Sequence, residues 1–176
     1  MVKKLARCIT ALAVGVVLTV RPCTAAEPEV ALSASFILNV LNFSPDLVGQ
    51  SSDQPLTIVV AGSKDYSDEL RSIFEGRAVL SDPIKIDAGP WAEEKGANVL
   101  VFAPTMADKE ISSALSLLKG PVLTISSAPG FASAGGAIEF HVVGDRVKFR
   151  VNRRTLQLAK ISISSRVLVL AEEIIQ

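Results

Sequence analysis

The pattern of apolar and polar positions predicts strands and helices in turn along the first two thirds of the chain. Val30 to Leu41 is apolar nearly all round, which predicts a buried helix. Ser44-Pro45 should end this helix, because the residue before a proline avoids the α region. Short apolar runs predict strands at residues 56–61, 83–87, 99–102 and 121–125, and helical spacing at 66–74 and 108–118 predicts helices between them. The alternation predicts an α/β fold, a single compact domain with a mostly parallel sheet flanked by helices.

The last 40 residues change character. Two strands, Ile138–Val143 and Val147–Val151, are joined at Gly144-Asp145, and a glycine at the first turn position favours a type II′ hairpin. Asn152 is a predicted N-cap for a short helix over residues 153–159. Ser162 is a predicted cap for a last helix, in which the apolar residues from 163 to 175 should face the core. The predicted fold therefore ends in a β-hairpin and a helix.

The first 26 residues read as a leader. Lys3, Lys4 and Arg7 form a basic start, an apolar run of 13 residues follows at 8–20, and small residues end at Ala26. The alternative is a membrane anchor, but 13 helical residues span about 20 Å, which is less than a hydrocarbon core of ~30 Å. We therefore predict a cleaved signal peptide over residues 1–26, a domain over residues 27–176, and an extracytoplasmic location.

Composition then excludes several classes of protein. The chain is neutral overall, but residues 27–176 hold 14 basic and 18 acidic side chains, and this acidic balance argues against nucleic-acid binding. Both cysteines, Cys8 and Cys23, lie in the leader, so the domain has no disulfide, thiol nucleophile or cysteine metal site. One histidine cannot build a multi-histidine centre. We predict no metal and no cofactor.

Catalysis is not expected either. A hydrolase triad needs a histidine, and only His141 is available, in a predicted strand where alternation puts it on the same face as Glu139. A histidine on a strand surface is the simpler interpretation. No pair of carboxylates is marked for acid–base work, so we predict a protein without catalytic residues.

A small anion site is one candidate binding feature. Ser63 and Lys64 follow the first predicted strand and open a helix, where free backbone N–H groups favour anions. Ser162 and Ser164 open another helix. If the two turns adjoin, these four residues could line one shallow polar site; the alternative is plain helix capping.

Docking of a partner is the other candidate. Residues 146–166 hold seven basic side chains and no acid, and on the strand the cations alternate with apolar residues, so one face should be basic. Arg150, Arg153 and Arg154 are the candidate partner-binding residues, and the alternative is a solvated sheet face. Trp91, in a loop, is either a partner contact or a cover for the edge of the core.

A family resemblance follows from the same C-terminal stretch. Its motifs are VLTIS at Val122–Ser126, PGF at Pro129–Phe131, Gly135-Gly136 before a strand, VKFRVN at Val147–Asn152, and ISSRVLVLA at Ile163–Ala171. With the buried first helix and the strand LTIVVAG at 56–62, these motifs resemble the YfiR family over nearly all of residues 27–176.

The resemblance implies a non-enzymatic periplasmic regulator that is homodimeric. Such a protein binds the extracytoplasmic part of a membrane diguanylate cyclase and represses cyclic-di-GMP signalling, and with it biofilm formation. The domain lacks the cysteines that many family members carry, so disulfide redox control is not expected. The alternative function is a periplasmic binding protein for a small anion or nucleotide, without a cyclase partner.

Overall fold

The structure is a computed structural model that describes residues 28–47, 55–80, 82–89 and 96–176. The predicted signal peptide and the Trp91 loop lie outside these residues. The strands are β1 (Leu56–Ala61), β2 (Ala78–Val79), β3 (Asp82–Ala88), β4 (Val99–Phe102), β5 (Leu123–Ser126), β6 (Ile138–Val143), β7 (Arg146–Asn152) and β8 (Glu173–Ile175). The helices are α1 (Pro28–Asn42), α2 (Lys64–Phe74), α3 (Asp108–Leu117), α4 (Arg153–Leu158) and α5 (Ser165–Leu168).

All eight strands form one sheet in the order β2-β3-β1-β4-β5-β6-β7-β8. The five strands from β3 to β6 in that order are parallel, as βαβ crossovers require. β2 and β7 run antiparallel to their neighbours β3 and β6, and β8 lies parallel to β7 at the edge. The predicted α/β fold with a mostly parallel, helix-flanked sheet is confirmed.

The core lies on both faces of the sheet, because alternate residues of each buried strand point to opposite sides. On one face, Ile58 and Val60 of β1 belong to a large apolar cluster with α1, α2 and the segment after α4. On the other face, Val59 of β1 belongs to a smaller cluster with α3 and Phe131. The smaller cluster covers β1 and β4, so α3 does not cover this face of the sheet at β6, β7 and β8.

The predicted hairpin and short helix are confirmed. Gly144 has φ +62°, whereas Asp145 has no positive φ, as a type II′ turn requires. The Asn152 carboxamide oxygen accepts a hydrogen bond from Thr155 N–H at 3.0 Å and so caps α4.

The predicted C-terminal helix to residue 175 is wrong. α5 is a single turn that ends at Leu168, and Ser164 rather than Ser162 is its N-cap. The chain then becomes extended, and Glu173–Ile175 forms β8 on the open edge of β7. The apolar spacing at 163–175 fits a helix, but Ile174 and Ile175 are β-branched and the edge of β7 satisfies their backbone groups.

Candidate functional site

Six charged or titratable side chains lie together on the sheet face beyond β5, and we call them the charged ladder: Glu139, His141, Lys148, Arg150, Glu172 and Glu173. Register places Glu139 beside Arg150, and Arg150 beside Glu173. The Arg150 guanidinium lies 3.0 Å from the Glu173 carboxylate (Nε to Oε2) and 3.8 Å from that of Glu139 (Nη1 to Oε1). One arginine therefore links three neighbouring strands.

The second row of the ladder is built the same way. Register places His141 beside Lys148, and Lys148 Nζ lies 3.1 Å from Glu172 Oε1. His141 Nε2 lies 3.7 Å from Glu172 Oε2, a contact that is an ion pair only when the imidazole is protonated. The imidazole is half-exposed, in agreement with the interpretation of His141 as a strand-surface residue.

The predicted basic strand face is thus largely neutralised. The acids come from β6 and from the segment around β8, which the sequence pattern assigned to a helix. Arg153 and Arg154 differ, because they are exposed at the start of α4 and form no ion pair with any residue that the structure describes. Two cations without a described ion partner therefore lie at the α4 end of β7, next to the ladder.

Glu139, like Glu172 and Glu173, is a member of the ladder that the sequence pattern does not predict as a site residue. Its side chain is buried, with a residue exposure of 6%, and its two oxygens accept hydrogen bonds from Gly130 N–H at 3.2 Å and Ala132 N–H at 3.0 Å. The carboxylate therefore holds the PGF turn against the sheet. The only signal in the sequence was an acid that shares the polar face of β6 with His141, ten residues after Pro129.

Acid should loosen the β8 end of the ladder. Hydrogen bonding to Lys148 holds the pKa of Glu172 below its ordinary value of 4.5, with further lowering by the charges of Lys148, His141 and Arg150. A carboxyl whose pKa is lower in the folded state contributes stability above that ordinary value and loses it as the pH falls through the folded pKa. We expect amide hydrogen exchange at residues 172–175 to speed up below pH 4.5 relative to β5. Glu172→Gln should remove this pH dependence, and an unchanged profile in that variant would contradict the assignment.

The first predicted anion-site pair is occupied by local contacts. The Ser63 hydroxyl accepts a hydrogen bond from Tyr66 N–H at 3.2 Å and caps α2. Lys64 forms an ion pair with Asp68 one turn later. These are the contacts expected of a helix start.

The second pair is tied to the end of α1. Ser162 N–H donates to the Asp46 carboxylate at 2.8 Å, and Ser164 N–H donates to the Phe43 carbonyl at 2.9 Å. The Ser162 hydrogen bonds lower the pKa of Asp46. The Asp46 carboxylate therefore already accepts the Ser162 N–H, which was predicted to bind a small anion.

The two pairs do not lie together. Burial raises the pKa of Tyr66 to about 12, and its hydroxyl meets Ser33 in the first half of α1. Ser164 meets Phe43, ten residues further along that chain segment, or about 15 Å at the rise of an α-helix. The four residues do not form one site, and ligand binding at either turn alone stays a prediction.

Two grooves flank the C-terminal strands. One, of about 550 Å³, lies between α3 and α4 and is lined by Arg154, Thr155 and Leu158 among others. The other, of about 580 Å³, lies on the opposite face between α1, β7 and α5; its walls are mostly apolar and include Phe36, Phe149 and Leu170. In the described ranges, no cluster of three or more His, Cys, Asp or Glu side chains could hold a metal.

The chain is similar to one protein family and, in fold, to a solved structure. The model of a family described as YfiR/HmsC-like matches residues 30–172. No curated protein matches the chain. Among solved structures, the ABC domain in complex with L-Trp from Streptococcus pneumoniae matches with a TM-score of 0.52 and 14% identity, over 77% of this chain and 60% of that one. The chain thus spans about 60% of that structure, and a likeness at this identity shows the fold alone. No helix in the described ranges is long and apolar enough to cross a membrane.

Proposed function

The chain belongs to the YfiR/HmsC-like family of periplasmic regulators of cyclic-di-GMP signalling, and from this premise we propose that it binds the extracytoplasmic part of a membrane diguanylate cyclase and represses it. The protein acts by binding and not by catalysis. Repression of this kind is a shift between two states of the cyclase, so the regulator must have higher affinity for the inactive one.

The observation that carries the proposal is the exposed pair Arg153 and Arg154 beside the charged ladder. Two cations without a described ion partner, on an otherwise acidic domain, form a local field that steers an acidic segment of a partner. Arg150 lies three residues before Arg153, on β7, and is half-exposed and already in contact with two carboxylates. We assign Arg153 and Arg154 to the first encounter and Arg150 to the docked complex.

Charge reversal tests this assignment. The double variant Arg153→Glu/Arg154→Glu should retain at least tenfold less of a membrane partner in a pull-down, because it replaces attraction by repulsion without removing any described contact. The loss should shrink as salt is raised, since exposed charges are screened over about 10 Å at 0.1 M. Arg77→Glu, an exposed cation after α2, is the matched control and should bind as wild type does. Equal capture by the double variant would count against the arginine surface.

A homodimer is part of the same proposal. Leu170 is 74% exposed and lines the apolar groove between α1, β7 and α5 together with Phe43, and the preceding residue, Val169, is 82% exposed. Exposed apolar patches of this kind mark protein interfaces. We expect a dimer in analytical ultracentrifugation that Leu170→Glu converts to a monomer without loss of thermal stability. Leu158→Glu, an equally exposed leucine on α4, should remain dimeric. A wild-type monomer would contradict this placement.

A further inference from the structure

β8 is an edge strand that is held weakly. It is three residues long, and Glu173 and Ile174 are exposed, Ile174 to 40%. β8 therefore buries little apolar surface, and segments of this kind open at low free energy.

The contacts of β8 are mainly backbone pairing and charge. Glu172 N–H donates to the Phe149 carbonyl at 2.8 Å, and register continues from Arg150 opposite Glu173 to Asn152 opposite Ile175. The side chains of Glu172 and Glu173 pair with Lys148 and Arg150. Ion pairs between exposed side chains contribute little to stability and weaken with salt.

Release of β8 would change the surface of β7 in two ways. It would expose the backbone groups along one edge of β7, which form a template for another extended chain. It would also leave Lys148 without its described carboxylate partner and Arg150 with Glu139 alone. The uncovered edge would be basic, and its preferred occupant would be an extended acidic segment.

We propose that β8 is an exchangeable strand, and that an extended acidic segment of a partner displaces it and pairs with β7. The segment that fits has the pattern of β8 itself, two acidic residues followed by two β-branched apolar residues, as in Glu172-Glu173-Ile174-Ile175. Backbone hydrogen bonds would give the added strand its affinity, and Lys148 and Arg150 its preference for acids. This inference rests on the proposed function only in giving the segment to a partner; the exchange is a property of this chain alone.

The test uses the whole domain and a labelled peptide of residues 169–176. Fluorescence anisotropy should show binding, and a peptide with Glu172→Lys and Glu173→Lys should bind at least tenfold more weakly. The variant Val151→Cys/Ile174→Cys places two cysteines at paired positions of β7 and β8, in a domain that has no other cysteine. When oxidised, it should not bind the acidic peptide, and reduction should restore binding, which shows that the variant is folded.

Two results would overturn the proposal. Equal peptide binding by the oxidised and reduced forms would place the peptide elsewhere. Absence of peptide binding, with amide exchange at residues 173–175 as slow as in β4 and β5, would show that β8 is a fixed strand. Neither result depends on a cyclase, so a failure to capture any membrane partner, with peptide exchange intact, would refute the proposed function and leave the exchange standing.

Discussion

Replacing Gly136 with alanine should destabilise the domain by more than about 3 kcal/mol, at the upper end of what overpacking costs. An added Cβ would lie 2.1 Å from Cε1 of Phe131, and real Cβ contacts are not closer than 3.0 Å. The ring cannot move aside, because Phe131 is buried and packs against Phe102 with ring centroids 5.4 Å apart. The Gly136 N–H also donates to the Phe131 carbonyl at 2.9 Å, which fixes the two residues against each other.

Gly144→Ala is the matched control for this prediction. Gly144 has φ +62° but open space around its Cα, so alanine there should cost only the backbone strain, about 1–2 kcal/mol. Urea unfolding followed by circular dichroism measures both. Adding Phe131→Leu to Gly136→Ala should recover part of the loss if crowding is its cause. Equal destabilisation by Gly136→Ala and Gly144→Ala would show that crowding at Phe131 is not the main cause of the loss.

Glu139→Ala should destabilise the domain by about 1–3 kcal/mol, since it leaves the buried N–H group of Ala132 without an acceptor and also removes the hydrogen bond to the exposed Gly130. It also removes one of the two described carboxylates near Arg150. Glu139→Gln keeps the shape of the side chain, but its amide has one acceptor oxygen where the carboxylate uses two. Glu139→Gln should therefore destabilise the domain nearly as much as Glu139→Ala does. The same urea measurement applies.

Glu172→Ala serves as the control, because that carboxylate is exposed and its ion pairs are screened by solvent, so its loss should change the free energy of unfolding much less. A Glu139 variant as stable as the Glu172 variant would mean that the buried carboxylate does not hold the PGF turn. Glu139→Ala should also speed up amide exchange at residues 130 and 132, and unchanged exchange there would contradict the same role.

Much of the fold follows from local pattern. β1 and β4 begin and end where their apolar runs do, because turn residues bound each run and both faces of these strands are buried. The hairpin and the cap of α4 depend on single residues, Gly144 and Asn152, whose conformational preferences act locally. Sequence therefore predicts these elements well.

The candidate site depends on contacts between residues far apart in the sequence, which the local pattern of apolar and polar residues does not predict. Lys148 meets Glu172, 24 residues away, because β8 returns to the edge of β7, and a helix interpretation of residues 163–175 hides that return. Glu139 takes its role from the PGF turn, which folds back over β6. The basic face expected from β7 alone is therefore largely paired, whereas Arg153 and Arg154 just after it have no described ion partner.

The most direct test of the regulatory role is cyclic-di-GMP in cells that lack this chain. Deletion should raise cyclic-di-GMP, and the wild-type chain should restore it to the original level. A chain with Arg150→Glu, Arg153→Glu and Arg154→Glu, present in the periplasm in equal amount, should not restore it. Cyclic-di-GMP that is unchanged by the deletion would contradict the proposal that this chain represses a diguanylate cyclase.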